Sequence, residues 1–529
     1  MSLVRKLGSV GGLTLVSRVL ALVRDSLQAS YVGAGFASDA FLVAFRLPNM
    51  FRALFAEGAF AAAFVPQFNR KVAEGGGLAA GVDFASRALS VLLPVLVAMT
   101  AAMMVAAWPL TYALSGGFND PTQEQFAYAV MLSRVTIPYL LMISLVSLLG
   151  GILNSLDRFW ANAAAPVLLN VAMIAGLVLF RGDTPYETAT VQALSVTAGG
   201  ALQLLFMIWA TRRARASLKL QKPVFDSEMR ELLRKILPVA AGAGINQVNL
   251  LISTALAGAL LAQGSISYIY YADRLNQLPL GLIGIALGTI LLPTLSRLLA
   301  NGDEAGAMET QNRGVELALL LTLPATVAFL TIPQQIVRGL FQHGEFTATD
   351  TQSAAMVLAA FSVGLPAYIL VKLFTPGYYA RYDTATPVKF ASWSVLLNIG
   401  ANLALIPTIG VLGPPLATAL ASVLNLSLLY RGLARRGHFA MDASLKRRLP
   451  RLVLAALAMG VLLWAIGDRF DPWLGGRLVE RGLALGALVG SGVAIYALAA
   501  LAFGAVRVDE IKAIRRRRAP ATPAPPLQE

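Results

Sequence analysis

Four arginines of this chain lie in stretches that are otherwise apolar enough to cross a lipid bilayer: Arg18, Arg24, Arg52 and Arg274. An arginine at the centre of a transmembrane helix costs roughly 2.5 to 3.5 kcal/mol on insertion scales. Its guanidinium is a rigid fork that stays charged when desolvated and can grip phosphate oxygens bidentately. Several such groups around one water-filled cavity would suit a diphosphate. The pattern therefore predicts a membrane transporter of a phosphorylated substrate.

The first two apolar segments also contain carboxylates and a further arginine at helical spacing. Arg18 and Asp25 share one face of an ideal helix, and Asp39 and Arg46 belong to a second stripe. We expect Asp25 and Asp39 to hold the arginines in place. The alternative interpretation is structural: buried ion pairs could fix the register of the helices without touching a ligand. The excess of basic over acidic residues favours a binding site.

The composition excludes an ordinary soluble enzyme, since 57% of the 529 residues are hydrophobic and only 13% are charged. The chain has no cysteine, which excludes disulfides and thiolate metal sites. Its two histidines, His343 and His438, fall in predicted loops, and no paired aspartate motif is present. Hydrolytic chemistry in the membrane would need such groups. We therefore expect a transporter with no catalytic residue, no metal site and no cofactor.

Apolar runs of about 20 residues, bounded by charges or turn residues, predict fourteen transmembrane helices. The chain is thus predicted to be an all-α polytopic membrane protein. The predicted spans are 8–32, 38–69, 84–113, 126–152, 160–180, 188–211, 232–261, 266–298, 314–334, 352–376, 386–407, 411–433, 450–467 and 482–505.

The distribution of basic residues predicts the orientation of these helices. Most of the 43 lysines and arginines fall in loops on one side of the membrane. The opposite loops hold Arg181, Arg338, Arg469, Arg477 and Arg481. Basic loops stay in the cytoplasm, so both termini are predicted to be cytoplasmic. This bias and attraction to anionic lipids explain the net charge of +15, and no nucleic-acid partner is expected.

An internal repeat divides the predicted helices into two halves. The sequence VLLN at 167–170 recurs at 395–398, and Arg46-Leu47 recurs as Arg274-Leu275 at the same separation. An even number of predicted helices lies between equivalent points, so a pseudo-twofold axis along the membrane normal should relate two six-helix lobes. The predicted domains are an N-lobe at 1–222, a C-lobe at 223–438, two extra helices at 439–508 and a basic, proline-rich cytoplasmic tail at 509–529.

Several motifs closely resemble the MurJ/MviN lipid II flippases, a family of the multidrug/oligosaccharidyl-lipid/polysaccharide exporter superfamily. Between Arg18 and Pro66 they are VRD, ASDAF, FRLPN, FAEGAF and FVP. YYADRLNQLP from Tyr270 and GTILLP from Gly288 resemble the family's eighth helix. The resemblance places the family's cavity arginines on Arg18, Arg24, Arg52 and Arg274, and its functionally important acidic position on Asp39.

The resemblance implies a transporter of cell-wall biogenesis and cell shape in the bacterial inner membrane. Its substrate would be lipid II, the undecaprenyl-diphosphate-linked peptidoglycan precursor, moved from the cytoplasmic to the periplasmic leaflet by alternating access. A central cationic cavity would bind the head group, and the last two helices would form a groove for the polyprenyl tail. Anionic lipids and other cell-wall synthesis proteins are the further expected partners. The predicted substrate-binding residues are Arg18, Arg24, Asp25, Asp39, Arg46, Arg52 and Arg274.

The sequence is also compatible with other functions and with two energy sources. A polysaccharide-lipid or multidrug exporter of the same superfamily would also explain the helices, and an intramembrane enzyme acting on polyprenyl diphosphates is the alternative from another class. Coupling could use a monovalent cation or the membrane potential, at roughly 2.3 kcal/mol per charge per 100 mV. The amides of Asn246, Asn249, Asn398 and Asn402 could join an ion site, although interhelical hydrogen bonding is the favoured role.

Overall fold

The computed structural model describes residues 3–56 and 59–506, with the backbone alone for residues 3–9, 53–56, 59, 61–62, 75, 237–243, 245–246 and 282–289. The predicted tail at 509–529 and the side chain of Asn246 lie outside the described part. The described residues form helices and no strand, which confirms the all-α prediction.

The described residues form nineteen α-helices in chain order. They are α1 Leu3–Val32, α2 Phe36–Ala56, α3 Ala59–Lys71, α4 Gly77–Val105, α5 Ala107–Ser115, α6 Gln123–Thr136, α7 Pro138–Ser155, α8 Phe159–Leu179, α9 Pro185–Arg213, α10 Ser227–Leu260, α11 Ser265–Ala300, α12 Glu304–Thr331, α13 Pro333–Phe341, α14 Ala348–Tyr379, α15 Ala385–Ile409, α16 Gly413–Arg435, α17 Ala443–Gly467, α18 Asp471–Leu474 and α19 Leu478–Ala502.

Nine helical segments of the described part are long and apolar enough to cross a membrane. They are Gly77–Val105, Gln123–Ser155, Phe159–Leu179, Pro185–Arg213, Glu304–Thr331, Ala348–Tyr379, Ala385–Arg435, Ala443–Leu474 and Leu478–Ala502. The segment Ala385–Arg435 contains both α15 and α16. The helices α1, α2 and α11, which carry the four arginines, are not among the nine. The count of fourteen membrane crossings therefore stays a prediction.

The chain divides into two compact units. The first comprises residues 1–274, 340–357 and 392–417, and the second comprises 275–339, 358–391 and 418–529. The boundary after Arg274 lies inside α11, and further boundaries lie inside α14, α15 and α16. These units are defined by contacts between residues, whereas the predicted lobes are defined by the internal repeat of the sequence. The lobe boundaries and the pseudo-twofold axis stay predictions.

Fully buried aromatic rings form the core of the first unit. Phe64 of α3 stacks on Phe60 at 5.1 Å and on Phe84 of α4 at 5.7 Å between ring centroids. The three rings are at most 2% exposed. The helix α7 packs against α2, α3 and α9, and α1 packs against α8. This packing fixes α1 and α2, where most of the predicted site residues lie.

An ion-pair network ties the loop after α9 to α3 and α4 in the first unit. Arg87 of α4 lies 2.7 Å from Asp226 and 2.9 Å from Glu228, and Lys71 lies 2.7 Å from Glu228. The backbone N–H of Met229 and the Arg87 guanidinium lower the pKa of Asp226. Hydrogen bonding from Lys71, together with Arg87, lowers the pKa of Glu228. The start of α10 is therefore anchored by charge at neutral pH.

The second unit is built around α12, which packs against α17 and α19. The Glu316 carboxylate of α12, whose side chain is 9% exposed, accepts a hydrogen bond from Ser444 at 3.0 Å. It also pairs with Arg313 at 2.6 Å and with Arg448 at 3.3 Å. These contacts join α12 to the first turns of α17.

Replacing Phe64 with alanine is expected to destabilise the first unit by about 3 to 5 kcal/mol, because it leaves a cavity among rings that cannot collapse freely. Thermal unfolding of the purified protein in detergent would measure the loss. Val105→Ala is the matched control, since Val105 is 83% exposed and its truncation leaves no cavity. Equal melting temperatures for the two variants would contradict this account of the core.

Candidate functional site

The Asp25 carboxylate is the centre of a buried polar cluster in the first unit. Its side chain is 1% exposed. Arg24 donates to its Oδ1 from Nη2 at 2.6 Å and from Nε at 3.0 Å. Tyr270 of α11 donates its hydroxyl to the same oxygen at 3.0 Å. The Nε of Arg274 lies 3.3 Å from Oδ2. One carboxylate therefore holds two arginines and a tyrosine.

The Arg24 guanidinium is further held by the polar atoms of α8. Its Nη1 donates to Asn170 Oδ1 at 3.0 Å and lies 3.7 Å from the Met173 sulfur. Asn170 in turn donates to the carbonyl oxygen of Ser17 at 3.1 Å. The Arg24 side chain is 6% exposed. Burial of this cation is compensated on every side by fixed acceptors, so its position is set by the packing of α1 on α8.

Arg274 differs from Arg24 because it is accessible. Its side chain is 31% exposed. Its Nη2 donates to the Tyr270 hydroxyl at 3.1 Å, and its Cζ lies 4.9 Å from the centroid of the same ring. The two arginines share one carboxylate, so Arg24, Asp25 and Arg274 together carry one net positive charge. That charge resides where an anion could reach it, on Arg274.

Asp39 lies at a different place, the amino-terminal end of α11. Its Oδ2 accepts from the backbone N–H of Gly264 at 2.6 Å. Its Oδ1 accepts from the backbone N–H of Ser267 at 2.8 Å and from the Ser267 hydroxyl at 2.6 Å. Asp39 is 2% exposed. A carboxylate from α2 thus caps α11, where free N–H groups and the helix dipole favour negative charge.

The two carboxylates have different partners. Asp25 contacts Arg24 and Arg274, whereas the hydrogen bonds to Asp39 come from the start of α11. The physical reason is that an unpaired helix N-terminus offers several oriented donors at once. Gly264 can adopt this position because it has no side chain. Its φ is +89°, and a Cβ there would lie 2.5 Å from the carbonyl oxygen of Ala34.

Residues 340–350, from the end of α13 to the first turn of α14, also contact α1 and α11 within the first unit. Ser26 donates its hydroxyl to the carbonyl oxygen of Leu340 at 2.6 Å, and Glu345 donates its N–H to the carbonyl oxygen of Ser30 at 2.9 Å. Tyr268 donates its hydroxyl to Asp350 at 2.8 Å. The first turns of α11 are therefore bound at Asp25, Asp39 and Asp350.

The remaining predicted arginines make hydrogen bonds of their own, although Arg46 lies close enough to Arg274 and Asp273 to interact with them electrostatically. Arg46 of α2 donates from Nη2 to the Thr254 hydroxyl of α10 at 2.5 Å. Arg52 donates from Nε to Asn49 Oδ1 at 3.0 Å and is half-buried. Arg18 is half-buried on α1. The structure thus joins Arg24, Asp25 and Arg274 directly, and it places Arg46 against α10.

Sequence reasoning missed Tyr270 and Asn170 as members of the cluster. For both residues the sequence contains a feature that could have indicated the role. Tyr270 precedes Arg274 by one helical turn and shares its face. Asn170 is a polar residue that ends the repeated VLLN motif in an apolar helix. Its repeat counterpart Asn398 accepts a hydrogen bond from Ser253 at 3.0 Å and from Asn402 at 3.1 Å.

Two of the four amides considered for an ion site, Asn398 and Asn402 of α15, make hydrogen bonds with Ser253 of α10. The described residues contain no group of three or more histidine, cysteine, aspartate or glutamate side chains that could hold a metal ion. The Asp25 cluster has no nucleophile beside a base, which covalent chemistry would need. An arginine that is 31% exposed and shares its counterion, as Arg274 does, can pair with an anion.

Comparisons with known proteins give the family to which these features correspond. A family model described as "Lipid II flippase MurJ" matches residues 28–483. A "Probable lipid II flippase MurJ" of Rhizobium tropici is 39% identical over 527 residues, covering 98% of each chain. A "Lipid II flippase MurJ" of Burkholderia cenocepacia is 36% identical over 529 residues, covering 98% of this chain and 100% of its own.

Solved structures show the same fold. One described as "Lipid II flippase MurJ, inward closed conformation" matches with a TM-score of 0.75 at 22% identity, covering 93% of this chain and 98% of its own. An inward-facing multidrug resistance transporter of the MATE family matches with a TM-score of 0.66 at 14% identity, covering 80% of this chain and 98% of its own. The fold is thus shared with a transporter of the multidrug resistance MATE family.

Asp25→Asn is expected to destabilise the protein by about 3 kcal/mol, because it leaves the buried Arg24 guanidinium without its counterion. Thermal unfolding in detergent would measure the loss. The double variant Asp25→Asn/Arg274→Gln should recover part of it, since it removes one of two unneutralised charges. A single variant as stable as the wild type would show that the carboxylate does not hold the cluster together.

Asp39→Ala is expected to cost about 1 to 3 kcal/mol, because the Gly264 and Ser267 donors lose their acceptor. Hydrogen exchange read by mass spectrometry should show faster exchange at the start of α11. Ser267→Ala is the matched control, since it removes one hydroxyl and keeps both backbone bonds to Asp39. Unchanged exchange at 264–267 in the Asp39 variant would rule out the capping role.

Proposed function

This chain belongs to the MurJ family of lipid II flippases, and on that premise we propose that it translocates lipid II from the cytoplasmic to the periplasmic leaflet of the bacterial inner membrane. It is a membrane transporter and not an enzyme. The observation that carries the proposed binding mode is Arg274, which is 31% exposed and shares its counterion with Arg24. Lipid II is the proposed partner in cell-wall biogenesis.

The diphosphate of lipid II fits the chemistry of the Asp25 cluster. The Arg274 guanidinium presents a planar fork that matches two phosphate oxygens. Its contact with Asp25, at 3.3 Å, is longer than that of Arg24, at 2.6 Å, so we expect Arg274 to exchange Asp25 for phosphate more readily. Arg24 then keeps Asp25 neutralised while Arg274 turns to the substrate. Arg18, Arg46 and Arg52 complete the cationic surface in this proposal, and Asp25 acts by positioning the arginines.

The contacts of α11 support alternating access. Asp25 of α1 and Asp39 of α2 both bind within residues 264–274, one through charge and one through the helix N-terminus. Movement of α11 away from α1 and α2 would have to break both. Substrate binding can favour that movement only by replacing the lost interactions, because a ligand shifts an equilibrium by its differential affinity for the two states. Fourteen helices in two lobes, with a tail groove in α17 and α19, complete the proposed architecture.

In this proposal the membrane potential acts on the net charge of the cluster. Arg24, Asp25 and Arg274 carry one positive charge, and the charges of the neighbouring Arg46 and Asp273 cancel each other. Any displacement along the membrane normal would therefore couple to the potential at roughly 2.3 kcal/mol per 100 mV for a full crossing. A doubly negative diphosphate would reverse the sign of the loaded site. Loaded and empty transporters would then respond to the potential in opposite directions.

Arg274→Gln is expected to slow translocation by about tenfold or more, since a hydrogen bond to a charged group contributes roughly 1.5 to 3 kcal/mol. The fold should survive, because Asp25 keeps Arg24 as its partner. The measurement is the amount of labelled precursor at the outer face in a host depleted of its own flippase, with the variant as the only supply.

Two further variants separate the effect of the charge from that of the guanidinium geometry and from the loss of an arginine elsewhere. Arg274→Lys keeps the charge and loses the fork, so an intermediate rate is expected. Arg181→Gln makes the same charge change on an arginine that stacks on Tyr31 at 4.7 Å outside the cluster, and should translocate normally. Wild-type translocation by a folded, inserted Arg274→Gln protein would overturn the binding mode. Preferential binding of organic cations over lipid II would overturn the function.

A further inference from the structure

The first unit contains an apolar cavity outside the Asp25 cluster, with a volume of about 240 Å³. Its walls are leucine and isoleucine side chains of α4, α7 and α9, among them Leu93, Leu145 and Leu204. Thr211 lies in the wall, but its hydroxyl donates to the carbonyl oxygen of Met207 at 2.5 Å. The interior thus offers little to a polar molecule and suits a hydrocarbon chain.

The cavity is closed on one side by the loop that follows α9. Lys219 donates its N–H to the Ser86 hydroxyl of α4 at 3.1 Å, and Gln221 donates its N–H to the Ser90 hydroxyl at 2.8 Å. Leu218 and Leu220 of the same loop complete the wall. The loop is held by these bonds to α4, so the cavity is formed before anything binds.

The rim of the cavity is basic. Arg212 lies in the lining at the end of α9, and its residue is exposed. The adjacent loop adds exposed basic residues, including Lys219 and Lys222. This is the end of the helices that the charge distribution predicts to face the cytoplasm. An apolar interior under a cationic rim is complementary to an anionic lipid.

The surroundings have the features of a membrane interface. Leu220 and Phe225 of the loop are 67% and 52% exposed beside lysines, a combination that binds at the head-group boundary. Trp209 of α9 is 47% exposed, and the Arg213 Cζ lies 5.5 Å from the centroid of its ring. Aromatic and basic residues of this kind are enriched at head-group level.

We propose that this cavity binds an anionic glycerophospholipid, with one acyl chain between α4, α7 and α9 and the phosphate at Arg212. The lipid would brace the loop that joins α9 to α10. The site is separate from the Asp25 cluster, so it would be occupied by a membrane lipid that is not the transported substrate.

The test uses the full chain in nanodiscs that contain phosphatidylglycerol or phosphatidylcholine with a photoreactive acyl chain, followed by peptide mapping. We expect phosphatidylglycerol to label the cavity peptides about fivefold more, the ratio that corresponds to about 1 kcal/mol from one arginine. Arg212→Gln should remove this preference. Arg213→Gln is the matched control, since its guanidinium stacks on Trp209 instead of lining the cavity, and it should retain the preference.

A second pair of variants tests the cavity itself. Leu204→Trp fills it and should reduce the labelling of both lipids severalfold. Leu205→Trp places the same ring on a residue that is 64% exposed and should leave labelling unchanged. If Leu204→Trp does not elute as a folded protein, Leu93→Trp on the opposite wall replaces it. Equal labelling by the two lipids, labelling that survives a filled cavity, or displacement by a polyprenyl diphosphate would each overturn the proposal.

Discussion

The Asp25 carboxylate is the constraint on which the rest of the site depends. In an apolar protein a buried cation is tolerated only with a fixed counterion and satisfied donors. Here one carboxylate meets that need for two arginines, and Tyr270 and Asn170 take up the remaining hydrogen bonds. The consequence is mechanical as well as electrostatic, because the cluster joins α1 to α8 and to α11. Removing Asp25 would leave both arginines without their shared counterion, so this one carboxylate positions the three helices together.

The two buried carboxylates, Asp25 and Asp39, solve the problem of buried charge in different ways. Asp25 is neutralised by side-chain cations, whereas Asp39 uses two backbone N–H groups and a hydroxyl at the start of α11. The first solution leaves a cation partly accessible at Arg274. The second leaves nothing accessible, since Asp39 is 2% exposed. Asp25 is therefore suited to a role beside a ligand, and Asp39 to a role in holding α2 against α11.

The helices were predictable from the sequence because long apolar runs have few alternatives in a membrane. The arginines were predictable as a set, since charge in such a run is expensive wherever it lies. Their partners were not, because helical periodicity places residues on one element and says nothing about its neighbours. Asp39 shows the limit: we expected it to hold the arginines in place, but its hydrogen bonds come from the start of α11, and Arg46 binds Thr254. A helix N-terminus is a backbone feature, and no side-chain pattern reveals which carboxylate it will attract.

The proposed binding mode also explains why a transporter would keep two arginines on one carboxylate. If each arginine had its own carboxylate, a diphosphate that bound one arginine would displace that carboxylate. The displaced carboxylate would then stay buried without a cation to neutralise it. With one shared carboxylate, Arg274 can exchange Asp25 for phosphate while Arg24, at 2.6 Å, keeps Asp25 neutralised. The exchange then costs the protein little, and the affinity for the substrate is available to weaken the hold of α1 on α11. A site with unequal burial of its two cations, 6% and 31% exposed, is suited to that exchange.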